Sequence, residues 1–233
     1  MKTSTNKKIL PTVLSVILLF ELFSLYVSGA SYNEYYYKRN SDNKIALTFD
    51  DGPHPVYTKK ILDVLSKYDI KATFFIVGEN ARYYKNTLLD IVKHGHELGN
   101  HTFSHTISRE GTIIDLTKEL EECRNTIYEI CGENTVLFRP PGGIITEMTA
   151  NDAEIYESYD VILWSVDTND WKHLSPEQIA DCVLENVRSG DIILMHDFIG
   201  KDSPTPEALE IIIPKLIDKG YKFVTVGELI SSE

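Results

Sequence analysis

Basic residues are scarce in this sequence. Only 23 of its 233 residues are Lys or Arg, against 35 Asp and Glu, so the formal net charge at pH 7 is -12. Proteins that bind nucleic acid need a basic surface that displaces counterions from the phosphates. Nucleic acid is therefore excluded as the main partner. The apolar fraction of 42% is ordinary for a globular chain, which excludes a disordered or collagen-like protein.

Cysteine is also rare, with Cys123, Cys131 and Cys182 as the three present. The first two fall on one predicted helix, where a rise of ~1.5 Å per residue separates them by roughly 12 Å. A disulfide tolerates a Cα separation of at most ~7 Å. No CxxC spacing occurs in the sequence, which argues against a cysteine zinc site. We expect buried free thiols at all three positions.

The first 30 residues differ from the rest in charge and hydropathy. Three lysines against one glutamate give them a net charge of +2, which leaves -14 for the remainder. An apolar run over 9–27 follows Lys7 and Lys8 and ends in Ser28-Gly29-Ala30, the three parts of an export signal. The run approaches the ~20 residues that span a bilayer, so an uncleaved signal anchor is an alternative to a cleaved signal peptide.

Residues 1–30 are therefore predicted to be a signal peptide or signal anchor, and the polar, tyrosine-rich residues 31–43 a tether. Lysines ahead of the apolar run place everything after it outside the cell membrane. The protein is expected in the extracellular space or cell wall, or anchored on the outer face of the membrane. Contact with the membrane is expected only through the N-terminal segment.

Beyond residue 44, strand-like and helical patterns alternate. Runs rich in Ile, Val, Leu and Phe predict strands at 45–49, 72–77, 137–138, 161–164, 192–195 and 223–226. Apolar residues at three- and four-residue spacing predict helices at 57–68, 86–94, 116–131, 149–157, 176–187 and 206–218. Such alternation indicates an α/β domain over 44–233 with a mostly parallel sheet, either open and doubly wound or closed into a barrel. Functional residues are expected at the carboxyl ends of its strands.

The first of these strands ends in Asp50-Asp51-Gly52-Pro53. Adjacent carboxylates repel each other unless a cation lies between them. A plain Asp-Gly turn with solvated carboxylates is the alternative interpretation.

A second polar segment contains His101 and His105, four residues apart. One helical turn or a tight loop would place both imidazoles on one face, as metal binding requires. With a carboxylate from Asp51 they form a two-histidine, one-carboxylate set that leaves positions open for water and substrate. This set predicts a catalytic metal rather than a structural one.

Further polar residues follow later strands. Arg139-Pro140-Pro141-Gly142 combines a forked cation, suited to holding a carboxylate, with a stiff backbone that ends in glycine. His196 ends the strand that contains Leu194, and its position at the same end of the sheet favours an acid or base role over a structural one. A surface turn is the alternative for the arginine segment.

Five motifs in order resemble those of the polysaccharide deacetylases, the NodB-homology or carbohydrate esterase family 4 domain. They are Thr48-Phe49-Asp50-Asp51-Gly52-Pro53, His101-Thr102-Phe103-Ser104-His105, Arg139-Pro140-Pro141-Gly142, Asp167 to Trp171, and Leu194-Met195-His196-Asp197. The resemblance spans roughly Lys44 to Ser231. It implies a distorted (β/α) barrel that binds one divalent metal, zinc in the first place, with cobalt, nickel or manganese as alternatives.

The resemblance also implies roles for individual residues. The metal ligands would be Asp51, His101 and His105. Asp50 would be the general base, oriented by Arg139, and His196 the general acid, in contact with Asp170. The substrate-binding residues would be Pro141, Gly142, Trp171 and Leu194, the last two lining a pocket for the acetyl methyl group.

The implied substrate is an N-acetylglucosamine unit, or a related amino sugar, in peptidoglycan or chitin-like oligomers, and the protein is expected to be a monomer. An O-acetylated glycan or a small N-acetyl compound is a second enzymatic alternative. A glycan-binding protein with a relic site is a third, which the intact set of titratable residues disfavours. Gly142 replaces the larger residue, often Tyr, of many relatives, which predicts a wider cleft.

Overall fold

The structure is a computed structural model that describes residues 34–38, 42–106, 115–143, 158–172, 174–200 and 202–231. The predicted signal or anchor segment, the predicted helix over 149–157 and His173 lie outside the described residues. Residues from Glu34 to Glu233 form one compact unit. Within the described ranges, no helix is both long and apolar enough to cross a membrane.

Nine strands form one sheet in which the named strands pair in parallel. They are β1 Glu34–Tyr35, β2 Lys44–Asp50, β3 Thr73–Ile76, β4 Glu97–Asn100, β5 Leu137–Phe138, β6 Asp160–Ile162, β7 Val166–Asp167, β8 Ile192–His196 and β9 Lys222–Phe223. Their order is β1-β6-β5-β4-β3-β2-β8-β7, with β9 added beside β2. Among these strands β1 and β7 do not pair with each other, so the sheet is a curled half-barrel, as the resemblance predicted.

Seven helices lie among the described residues. They are α1 Tyr57–Lys67, α2 Gly78–Tyr83, α3 Lys85–Lys93, α4 Leu116–Cys131, α5 Pro176–Asn186, α6 Thr205–Asp218 and α7 Val226–Ser231. Their ends follow ordinary capping chemistry. The Asp115 side chain accepts a hydrogen bond at the start of α4, and Gly132, with φ of 78°, ends it in the left-handed conformation.

Strand β2 shows how the sheet separates its two faces. Ile45, Leu47 and Phe49 belong to the main core with α1, α3, α5 and α6, whereas Ala46 packs in a second cluster with Val226 of α7. Side chains alternate along a strand, so Thr48 and Asp50 point to the same inner face as Ala46. The inner face therefore becomes polar toward the carboxyl end of β2.

The alternation of strands and helices is confirmed, but several elements were not predicted from the sequence. Strand β1 lies inside the segment predicted as a tether, and Tyr37 in the same segment forms an antiparallel bridge with Asp191. The predicted strand over 223–226 is shorter, because Val226 already begins α7. The three cysteines are free, as expected, but the expected burial holds for Cys123 and not for Cys131 and Cys182, which are partly exposed.

Candidate active site

The turn after β2 brings two carboxylates to the carboxyl edge of the sheet. Asp50 is the last residue of β2 and is buried, while Asp51 has a φ of 75° and is partly exposed. This positive φ turns the chain sharply, so that the two adjacent side chains reach one region instead of opposite faces. Asn80 of α2 donates a hydrogen bond of 2.7 Å to the Asp51 carbonyl and fixes the turn.

Asp51 meets both predicted histidine ligands. Its Oδ1 lies 3.4 Å from His101 Nε2 and 3.0 Å from His105 Nε2, and the three ligand atoms all lie within 4.8 Å of one another. His101 follows β4, and its Nδ1 lies 2.7 Å from the Arg139 carbonyl oxygen, which directs Nε2 toward Asp51. The two histidines lie on a loop rather than on a helical turn, one of the two geometries that the sequence left open.

The donor set fits a divalent cation. Asp51 Oδ1 is buried and makes no hydrogen bond of acceptable geometry, although two imidazoles stand beside it. Burial raises the pKa of Asp51, but the two imidazoles outweigh burial and hold that pKa well below its usual range, so the carboxylate stays ionised. Zinc bonds of ~2.0–2.2 Å in tetrahedral geometry separate neighbouring ligand atoms by about 3.4 Å. The observed separations are close to that value.

Arg139 holds the neighbouring carboxylate of Asp50. The guanidinium is fully buried, and its Nη1 donates to Asp50 Oδ1 at 2.8 Å and to Thr48 Oγ1 at 2.7 Å. Burial lowers the pKa of Arg139, while the charge of Asp50 opposes that change. The guanidinium also lies 4.1 Å from the ring centroid of Phe75. One oxygen of Asp50 is thus occupied, and Oδ2 points to His101 Nε2 at 3.7 Å.

His196, the last residue of β8, pairs with Asp170. Its Nδ1 lies 2.7 Å from Asp170 Oδ1, and its backbone N–H donates to Oδ2 at 2.8 Å. Burial lowers the pKa of His196, but the hydrogen bond and charge of Asp170 act in the opposite direction, and the pKa is raised to about 9. A third donor reaches Asp170, since the Thr205 hydroxyl donates to Oδ2 at 2.8 Å. Because Nδ1 is bound to Asp170, Nε2 is the ring nitrogen left for proton transfer.

The four predicted substrate residues lie on the surrounding loops and on β8. Leu194 is buried two residues before His196 and therefore shares its face of β8. Trp171 lies in a short turn beside Asp170 with 49% of its surface exposed. Pro141 and Gly142 form a turn just after Arg139, and the φ of 66° at Gly142 is strained for any residue with a Cβ. A tyrosine at this position would have to adopt that conformation at a cost in backbone strain.

Several residues of the site region were not identified from the sequence. Thr48 accepts a hydrogen bond from Arg139, and Thr205 donates one to Asp170. Asp197 is fully buried beside the turn at Gly52. The sequence offers one signal, since Thr48 and Asp197 lie inside the quoted motifs. His54, just after the Gly52-Pro53 turn, stacks between Tyr57 and Phe198, with ring centroids 5.1 and 4.9 Å away.

Fold and site together define a class of protein. It is an α/β half-barrel with a candidate two-histidine, one-aspartate metal centre at its carboxyl edge, flanked by an Arg-bound carboxylate and a His–Asp pair. A family model described as polysaccharide deacetylase matches residues 37–159. The chain belongs to the polysaccharide deacetylase family.

Comparison with individual proteins agrees with this membership. A peptidoglycan-N-acetylglucosamine deacetylase of Bacillus cereus is 38% identical over 193 residues, 82% of this chain and 90% of that protein. The crystal structure of the Bc1960 peptidoglycan N-acetylglucosamine deacetylase matches with a TM-score of 0.80 and 33% identity, over 91% of this chain and 97% of that one. A family 4 acetyl xylan esterase from Clostridium thermocellum, solved with a cobalt ion, matches with a TM-score of 0.72 and 37% identity, over 81% and 90%.

Proposed function

We propose that this protein is a metal-dependent hydrolase that removes N-acetyl groups from N-acetylglucosamine or related amino-sugar units of peptidoglycan or chitin-like oligosaccharides. One observation carries the proposal. Asp51, His101 and His105 converge within 4.8 Å at the same sheet edge that holds Asp50 and His196. The similarity to named peptidoglycan deacetylases supports the substrate class.

Asp51, His101 and His105 would hold the metal, for which zinc is our first choice and cobalt, nickel or manganese are alternatives. Such an ion supplies Lewis-acid polarisation of the amide carbonyl and acidifies a water from a pKa of 15.7 toward about 7. The orientation of the His101 ring by the Arg139 carbonyl and the ionised state of Asp51 suit both residues to this role.

Asp50 would be the general base. Arg139 occupies Oδ1, so Oδ2 is the oxygen that takes the proton from the attacking water. The contacts of Arg139 with Thr48 and Phe75 fix the guanidinium, which in turn fixes the carboxylate. Arg139 is thus a positioning residue for the base.

His196 would be the general acid. Its Nδ1 is bound to Asp170, so the proton on Nε2 is the one delivered to the leaving amine. A pKa of about 9 keeps that proton in place at neutral pH until the amine departs. Leu194 and Trp171 would border the acetyl methyl group, and Pro141 and Gly142 the sugar on the side of Arg139.

The chain's organisation is part of the proposal. Residues 1–30 would export or anchor the protein, and a monomeric deacetylase domain, whose compact unit begins at Glu34 rather than at residue 44, would lie outside the membrane. The charge distribution and the apolar run at 9–27 support this assignment.

Acetate release from purified peptidoglycan, chito-oligosaccharides and acetylxylan tests the function. We expect release from at least one of the first two, loss of release with a chelator, and a fall of about 10²- to 10⁴-fold for Asp50→Asn. Asp181→Asn, on the exposed side of α5, makes the same charge change away from the site and is the matched control.

Other outcomes of the same assay separate the alternatives. Release from acetylxylan alone would favour an O-acetyl esterase, the second candidate, which the similarity to an acetyl xylan esterase supports. Binding of the glycans with no acetate release from any of them would favour a relic binding site. Release that survives both chelation and Asp50→Asn would contradict the mechanism.

A further inference from the structure

The loop between the two candidate histidine ligands has an unusual backbone. Thr102 has a φ of 66° and His105 a φ of 54°, and both therefore adopt the left-handed conformation that non-glycine residues seldom take. Residues in this conformation persist only where the surrounding structure holds them. The loop that sets the distance between His101 and His105 must therefore be fixed by contacts from outside it.

Glu119, in the first turn of α4, makes several of those contacts. Its Oε2 accepts hydrogen bonds from the backbone N–H groups of Phe103 at 3.0 Å and Ser104 at 2.8 Å. Its Oε1 accepts a third from the Ser104 hydroxyl at 3.0 Å. A single carboxylate thus binds the two residues that lie midway between the histidines.

Further backbone groups of the loop are also bound. Asn100 accepts from the Thr102 N–H at 2.9 Å and donates to the Leu120 carbonyl of α4 at 2.9 Å. The carbonyls of Thr102 and Phe103 accept from the first two N–H groups of α2, at 3.1 and 2.9 Å. Three successive N–H groups, at 102, 103 and 104, are therefore captured by side chains, and two of the three by Glu119.

We propose that Glu119 is a positioning residue that presets the spacing of His101 and His105 and thereby raises the affinity of the metal centre. Glu119 binds the loop backbone rather than either imidazole, so it acts through geometry and not as a ligand. Without it, metal binding would have to order a strained loop, which lowers affinity. The inference rests on the proposed function only in taking Asp51, His101 and His105 as metal ligands.

The test is a titration of the metal-free full-length protein with Zn²⁺ against a chromophoric chelator, repeated with Co²⁺. Removal of groups that orient metal ligands typically weakens metal binding by ~10- to 100-fold, and we expect a loss in that range for Glu119→Ala. Glu119→Gln keeps an oxygen for the two N–H groups and an amide for the Ser104 hydroxyl, so it should stay within roughly threefold of the wild type by the same reasoning.

A matched control is available on the same helix. Glu129 is exposed further along α4, so Glu129→Ala removes one carboxylate from the helix away from the loop, and its metal affinity should equal that of the wild type. Thermal unfolding of each metal-free variant shows whether it is folded. Ser104→Ala removes one of the three hydrogen bonds of Glu119 and is the milder variant if Glu119→Ala does not fold; it should lose several-fold in affinity.

Each outcome decides the question. Wild-type affinity in folded Glu119→Ala, or in Ser104→Ala where the first variant is unfolded, overturns the proposal. An equal loss in Glu119→Ala and Glu119→Gln would mean that the charge of Glu119 acts on the cation directly, which also overturns it. Absence of metal binding in the wild type would instead contradict the metal site of the proposed function, and this inference with it.

Discussion

At His196, burial and hydrogen bonding change the pKa in opposite directions. Burial disfavours the charged imidazolium, and the Asp170 carboxylate, bonded to Nδ1 at 2.7 Å, more than compensates and raises the pKa to about 9. The group is therefore protonated throughout the neutral range. Asp50 and Asp51 contribute to the same increase, and a bound divalent cation would offset their part.

Asp170→Asn should move the alkaline limb of the pH–kcat profile. In the wild type we expect kcat to fall as His196 loses its proton, at or below about pH 9. Without the carboxylate the pKa drops toward its ordinary value of 6.5, so the limb should move down by roughly 2 units and kcat at pH 8 should fall ~10-fold. Initial rates across pH 6–10 on one soluble chito-oligomer would measure both, with Asp181→Asn as the control. An alkaline limb that does not move would mean that this limb does not report a His196 pKa raised by Asp170.

At Asp197, in contrast to His196, burial determines the direction of the pKa change. It is fully buried, its Oδ2 accepts from the Thr58 hydroxyl, and its Oδ1 has no hydrogen-bond partner. Burial raises its pKa from 3.8 to about 7. Because the folded-state pKa is the higher one, the stabilising contribution is complete below about 4 and is lost as the pH rises through about 7.

Asp197→Asn should remove this pH dependence. At pH 8 the wild type must bury a charge, so we expect the variant to be more stable by about 1–3 kcal/mol. At pH 4 the carboxyl group is protonated, and the two proteins should differ by less than ~1 kcal/mol. Urea unfolding at both pH values gives the two differences. The same difference at pH 4 and pH 8 would show that Asp197 does not titrate in this range.

The motifs predicted the residues that contact one another at the candidate site. The residues outside the motifs that hold them in position by hydrogen bonds were not predictable from the sequence. Asp51, His101 and His105 lie in short motifs of chemically distinctive residues, and the structure brings them together. Glu119 and Thr205 look like ordinary residues of a helix first turn. Their contacts depend on where α4 and α6 pack against the sheet, and the local sequence contains no signal of that packing.

At the scale of elements, long periodic segments were predicted well and short ones were not. Helix α4 and strand β5 have the predicted bounds. Strand β4 was missed because its sequence, Glu-Leu-Gly-Asn, has little β propensity. Gly99 is needed there since a Cβ would lie 2.4 Å from the ring of Phe75. Helix α2 has six residues, too few to show a helical period.

Helix α5 offers a test of local stability that leaves the site untouched. Ser175 caps the N–H of Gln178, and the Gln178 side chain returns to the Ser175 N–H at 3.0 Å. Loss of a serine cap usually destabilises a protein by about 0.5–2 kcal/mol. We expect Ser175→Ala to unfold at lower urea by that amount and to keep wild-type kcat. Ser175→Asn preserves the cap and is the control; equal destabilisation by both changes would contradict the capping argument.

For the whole molecule, the alternation of strands and helices predicted that functional residues gather at one edge, because parallel strands all end there. It did not decide between a closed barrel and an open sheet. Whether the sheet closes depends on the edge strands β1 and β7, which have two residues each and are too short to show a strand pattern in the sequence. The inner face is filled instead by the buried Arg139, whose Nε donates to the carbonyl of Ile162, the last residue of β6, and whose Nη2 donates to the carbonyl of Leu163.

The N-terminal boundary of the domain can be tested by shortening the chain. The sequence placed it at residue 44, whereas the compact unit begins at Glu34, and residues 34–38 make contacts in three places. Tyr35 pairs with Ile162 of β6, the Lys38 N–H donates to the Gly190 carbonyl at 2.8 Å, and Lys38 Nζ donates to the carbonyl of Ile230 in α7 at 3.2 Å.

At about 1 kcal/mol for each net hydrogen bond, a chain of residues 44–233 should be roughly 1–3 kcal/mol less stable than a chain of residues 31–233. For a domain of this size that corresponds to a melting temperature lower by roughly 3–10 °C. Equal melting temperatures would mean that residues 34–38 act only as the predicted tether.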